Sequence, residues 1–177
     1  MEGTKGTGFA KGITILRVAL GGGFLFAGLD KALDFAGSGK AFDATGFLKG
    51  ATGGAWLASD PKTVINPTHD FWVSLAGNAG LMQIVNTLVV TGEIAIGAAL
   101  VLGLATRFAG LAGTLMMGLF FVANWSFANG PFNEQFMYGV AALTLAITGA
   151  GQYYSLDAVL ARTESIRRVP ALQFLLG

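Results

Sequence analysis

A carboxylate set in the middle of an apolar run is the first place in this chain where chemistry could occur. Glu93 lies between Leu81 and Leu102, among mostly aliphatic neighbours. Charge in hydrocarbon costs a few kcal/mol or more, which makes such a residue a functional candidate. Gln83, Asn86, Val90, Glu93 and Gly97 follow one another at spacings of three and four, so they share one helix face. Arg17, Gly21, Phe24, Gly28 and Lys31 repeat that spacing in an earlier apolar run. Both stripes are expected to face the interior of a helix bundle. At 1.5 Å per residue from the ends of their runs, Arg17 lies about 8 Å deep and Glu93 about 14 Å. A long arginine side chain covers that difference. One reading is therefore a buried Arg17–Glu93 ion pair. A second is a proton or quinone site, which needs a titratable group in low dielectric. A third turns Arg17 to lipid, where it snorkels.

The elements that must position these residues follow from composition. The chain has 177 residues, 53% hydrophobic and only 12% charged, with a mean hydropathy of +0.62. Typical soluble domains are about 25% charged, so lipid is the expected solvent. Its 27 glycines suit helices that approach closely in a membrane. Cysteine is absent and His69 is the single histidine. That excludes thiol redox chemistry, thiolate metal sites, CxxCH haem attachment and bis-histidine haem within this chain. A net charge of +1 without a large basic cluster gives no nucleic-acid footprint.

Apolar runs of about 18 or more residues read as membrane spans. Four are expected, over about 12–29, 81–102, 108–125 and 136–150, the last short and extended at one end. They form a single all-α membrane domain over 1–177, an up-down four-helix bundle. Arg17 within the first run and the lack of an A-x-A site make that run a retained anchor rather than a cleaved signal. The five-residue turn Gly103–Arg107 predicts that the second and third spans form the tightest pair. Lys5, Lys11, Arg17, Arg107, Arg162, Arg167 and Arg168 mark the cytoplasmic side, so both termini should lie inside. The opposite side holds Lys31, Lys40, Lys49 and Lys62 diluted by aspartates.

The long first loop, 32–79, is rich in aromatic residues, among them Phe35, Phe42, Phe47, Trp56, Phe71 and Trp72. It is expected to be an ordered cap of short interfacial helices. After Ser155, a helix cap, the segment 152–177 reads as an amphipathic surface helix ended by Pro170. Gly110, Thr114 and Gly118 form a small-residue seam. Met116, Met117, Phe120 and Phe121 read as core or lipid-facing residues, or as the lining of a slot for an isoprenoid tail. Asn124 should terminate the third span, with Trp125 as an interfacial anchor. His69 reads as a solvated loop residue or as a substrate or proton-relay group.

The order of several motifs resembles the DoxX family of membrane proteins. They are Arg17 with Phe26-Ala27-Gly28-Leu29-Asp30-Lys31, then Glu93 with Gly97, Leu102, Gly103 and Arg107, and finally Gly149 through Asp157. Gly46 to Gly50 and Phe71-Trp72 through Asn78 resemble the DoxD branch, associated with thiosulfate:quinone oxidoreductase. The resemblance implies a prokaryotic inner-membrane subunit passing electrons from a small sulfur compound to quinone, with a second subunit. Quinone is then the cofactor to expect, with no haem or metal cluster held by this chain. On that reading Lys31, Lys49 and His69 meet the anionic substrate. Quinone enters near Asn86, Glu93 and Tyr138, and Glu93, Arg17 and Tyr138 carry the catalytic roles. The alternative is a non-catalytic accessory subunit docked in a larger membrane complex. Oligomerisation is left open.

Overall fold

A computed structural model describes residues 2–35, 37–50, 66–125, 132–167 and 169–176. Among the described residues every regular element is helical. These are α1 (Glu2–Leu33), α2 (Thr45–Gly50), α3 (His69–Ala76), α4 (Ala79–Leu102), α5 (Thr106–Asn124), α6 (Glu134–Ile147), a 3-10 turn (Ala150–Gln152), α7 (Leu156–Leu160), α8 (Glu164–Arg167) and α9 (Pro170–Leu175).

Three helices are long and apolar enough to cross a membrane: Gly6–Leu33 within α1, then α4 and α5. The sequence led us to expect four. At 14 residues, α6 is about 21 Å long, short of a hydrocarbon core of about 30 Å. It opens at Asn133, whose side chain accepts from Phe136 N at 3.0 Å. The chain leaves the helix through a turn at Thr148 and Gly149, the latter at φ 64°. By contrast α1, at 32 residues, is about 48 Å long, longer than the hydrocarbon core. It stops where Asp34 turns to φ 51° and its carboxylate accepts from Ser38 N and Gly39 N. Those hydrogen bonds, from Ser38 first and Gly39 next, hold the Asp34 carboxyl below the usual carboxylate range.

The α4–α5 turn is tight, with Gly103 in the left-handed region at φ 66°, yet these two helices are not the closest pair. The extensive packing is α1 on α4 and α5 on α6. Glycine decides this. A Cβ on Gly28 would stand 2.8 Å from Ile94 N, and one on Gly110 2.7 Å from Ala142 O. Backbones so close leave no room for any side chain there. Turn length fixes only where two helix ends meet, whereas small residues set how closely their lengths approach. The central core combines Leu20, Phe24, Ile96, Leu100, Met117 and Leu145.

At one end the N-terminal half of α1 meets the closing segment, where Phe9 stands edge-on to Tyr153. Ser155 caps α7, accepting from Ala158 N at 3.0 Å and donating to Gly151 O. The C-terminal segment is not one amphipathic helix but three short ones. Pro170 opens α9 instead of ending a helix, as suits a residue whose missing N–H is unpaired in a first turn anyway. At the other end Ala44, Leu48, Ala76, Met82 and Ala123 form a second apolar cluster with Phe42 and Trp72. Asn66 donates to Val122 O and Ala123 O at 3.1 Å each, tying the loop to the end of α5. The described parts of the long loop therefore pack on the helix ends. Trp56 and Lys62 lie outside the described residues.

Candidate functional site

Lys31 and Glu93 are brought together by the α1–α4 contact. Lys31 Nζ donates to both Glu93 oxygens, at 2.7 and 3.0 Å, and to Ala27 O at 3.3 Å. The lysine side chain is 24% exposed and the glutamate 4%. The Phe42 ring, from the loop, lies 5.5 Å from Nζ, within the range of a cation–π contact.

This pairing corrects the expected Arg17–Glu93 ion pair. Side chains on a helix tilt toward its N-terminus. Because α1 and α4 are antiparallel, Arg17 and Glu93 tilt away from each other, while Lys31 tilts back onto Glu93. Arg17 is only 1% exposed and serves another end of the molecule. Its guanidinium donates to Ala150 O and Tyr153 O at 3.0 Å each and to Tyr154 O at 2.8 Å. Asp157, equally buried, accepts from Ala105 N at 2.7 Å and Thr106 N at 2.8 Å, holding the start of α5. The arginine thereby gathers three carbonyls of the closing motif, which no sequence spacing announces.

The ion pair lines a cavity of about 270 Å³, together with Gly23, Phe24, Glu134, Gln135 and Tyr138. Tyr138 rests over the glycine, its hydroxyl oxygen 3.0 Å from where a Gly23 Cβ would be. Its ring is edge-on to Phe24 at 6.0 Å. Gln135 Nε2 donates to Glu134 Oε1 at 3.1 Å, and Gln135 Oε1 is buried with no partner among the described residues. The walls thus combine a cation, two carboxylates, a phenol and an open amide acceptor. The volume lies just under the roughly 300–1,000 Å³ of drug-sized ligand pockets, enough for a single ring. Among the described residues no three histidine, aspartate or glutamate side chains gather as a metal site.

Of the residues singled out in the sequence, Glu93, Lys31 and Tyr138 share this cavity, and Arg17 lies elsewhere. Asn86 lies seven residues before Glu93, about 10 Å along α4. There it docks the loop, accepting from Ala44 N at 2.9 Å and donating to Asp43 at 3.3 Å. Lys49 lies in the last turn of α2 and His69 opens α3, and neither lines the cavity. Gln135 and Glu134 were missed because they sit at the edge of the fourth apolar run, where polarity reads as loop.

Helices throughout the described residues, three of them long and apolar enough to cross a membrane, define the class as a helical membrane protein. Within that class the chain belongs to the DoxD family, described as the TQO small subunit DoxD, which it matches over residues 13–175. No curated protein and no solved structure matches it.

Proposed function

We propose that the chain is the membrane subunit of an oxidoreductase resembling thiosulfate:quinone oxidoreductase, and that the Lys31–Glu93 cavity receives the quinone ring. The observation that carries this is the meeting of Lys31, Glu93, Tyr138 and the unpartnered Gln135 Oε1 around one cavity bounded by three membrane-length helices and the shorter α6. The donor set fits. Lys31, whose N–H groups go to Glu93 and Ala27 O, supplies positive charge beside a ring carbonyl, and the Tyr138 hydroxyl on the same cavity supplies an O–H donor. Gln135 Oε1 supplies an acceptor for a ring hydroxyl. Glu93 and Tyr138 are the groups that hold or move protons beside it. Bound quinone would supply the two-electron acceptor. A chain without cysteine has no thiol redox centre of its own, so electrons arrive directly from the sulfur compound or through a larger partner subunit, as the family's description as a small subunit supports.

The same reading takes α6 as a fourth, shorter span, with both termini on the cytoplasmic side of a prokaryotic inner membrane. The loop then caps the outer face, where Lys49 and His69 meet an anionic substrate. The test is to purify the protein from its native membrane with its associated subunits and extract the lipid-soluble fraction. One quinone per chain is expected, lost in Lys31→Met and reduced in Tyr138→Phe. A preparation that oxidises the sulfur compound but carries no quinone and cannot reduce one would sink the reading.

A further inference from the structure

The cavity does not end at its ring-sized chamber. A second hollow of about 190 Å³ runs between α5 and α6, past Gly118 and Phe121 on one side and Phe136, Val140 and Leu143 on the other. The two hollows share Met117 and Gln135. One is polar at its base, while the other is apolar along its length. Gly118 leaves a notch, since a Cβ added there would meet nothing within 4 Å. Val140 and Leu143 are exposed, so the groove opens sideways, to lipid in a membrane. From Gln135 to Leu143 is eight residues along α6, about 12 Å.

We propose that cavity and groove form one two-part site for a ring compound with a long hydrocarbon tail: the ring beside Lys31, Glu93 and Tyr138, the tail along α5 and α6 through the Gly118 notch. This rests on the quinone reading and deepens it, because it makes the tail a determinant of binding. Gln135 marks the junction, with its buried acceptor at the point where ring gives way to chain. An unpartnered acceptor at that point favours a bound ring carrying a hydroxyl.

The experiment uses the full chain in lipid nanodiscs and two probes with the same benzoquinone ring, one with a multi-isoprene tail and one without. Dissociation constants, corrected for partition into lipid, and ligand-induced shifts in Tm are read for wild type and Gly118→Leu. The wild type is expected to bind the tailed ring at least tenfold more tightly. Gly118→Leu, whose side chain enters open space, should lose most of that tenfold advantage and keep its affinity for the tailless ring, which also shows that it folds. Equal affinity of wild type for both probes would overturn the tail groove and leave the quinone reading standing. So would an unaltered preference in Gly118→Leu, the result expected if only bilayer acyl chains occupy the groove. Equal loss of both probes would also overturn it, by showing that Gly118 shapes the ring chamber. Failure of the wild type to bind either probe would overturn the quinone reading, and the groove with it.

Discussion

Lys31 closes on Glu93 across the α1–α4 interface at 2.7 Å, and it does so by bending back along its own helix to Ala27 O. One ammonium thus satisfies a neighbouring carbonyl and a buried carboxylate together, and that double attachment fixes the floor of the cavity. Removing one partner of such a pair leaves an uncompensated charge and costs about 3–5 kcal/mol, while replacing both with apolar groups is often nearly neutral.

Lys31→Met should therefore lower Tm sharply, and Lys31→Met with Glu93→Leu should recover most of the loss. Thermal unfolding in detergent checks this. If the ion pair also handles protons for quinone, the double variant regains stability without regaining turnover. Equal destabilisation by the single and double variants would remove the pair as a stabilising unit.

Arg17 should behave as a clamp on the closing motif, away from the cavity. A planar guanidinium reaches three carbonyls at once, a fork that lysine cannot reproduce. Arg17→Lys should raise hydrogen exchange across residues 150–160 and cost about 1.5–3 kcal/mol per charged hydrogen bond lost. Quinone affinity should stay within twofold of wild type. A selective loss of quinone binding with an unchanged exchange pattern would put Arg17 back at the site.

The sequence showed which faces point inward but not which residues meet. The three-and-four spacing placed Lys31 and Glu93 on interior stripes correctly, because helix periodicity is local. Depth along an apolar run does not give the partner, because α1 continues to Glu2 and because each side chain tilts toward its own helix N-terminus. Asn86 shares the inward-facing stripe of Glu93. Its contact, the Asp43–Ala44 stretch of a distant loop, has no periodic signature. Arg17's carbonyl partners lie 133 to 137 residues away, and backbone acceptors carry no sequence signal at all. Pro170 reads as a stop because proline is unfavourable inside helices, yet the same residue is favourable at a first turn.

The loop contact through Asp43 should loosen in acid. Its carboxylate accepts from Thr45 first and from Asn86, and these hydrogen bonds hold it below the usual carboxylate range. A depressed folded value means that the contribution is present above the unfolded value and lost as pH falls through the folded one. Amide exchange at Ala44 and Thr45, corrected for its intrinsic pH dependence, should therefore quicken only below about pH 4. Asp43→Asn should remove that acid step while leaving the Lys31–Glu93 cavity intact. An exchange profile at those amides that is flat down to pH 2 would refute the linkage.

Gly28 is where the α1–α4 packing and the site depend on each other most directly. A Cβ there would stand 2.8 Å from Ile94 N and 2.9 Å from the Glu93 Cβ, and backbone atoms cannot swing aside as a side-chain tip can. Gly28→Ala must push the helices apart at the level of the ion pair. Overpacking of this kind costs about 1–3 kcal/mol, and it stretches the Lys31–Glu93 contact, so Tm and quinone affinity should fall together. Gly12 is the control, on the same helix with nothing within 4 Å of an added Cβ. There alanine should help by about 1 kcal/mol, through helix propensity alone. The pair of variants separates close approach from propensity. If Gly28→Ala were as stable as Gly12→Ala and bound quinone as wild type does, the close contact of the two helices would have no part in forming the cavity.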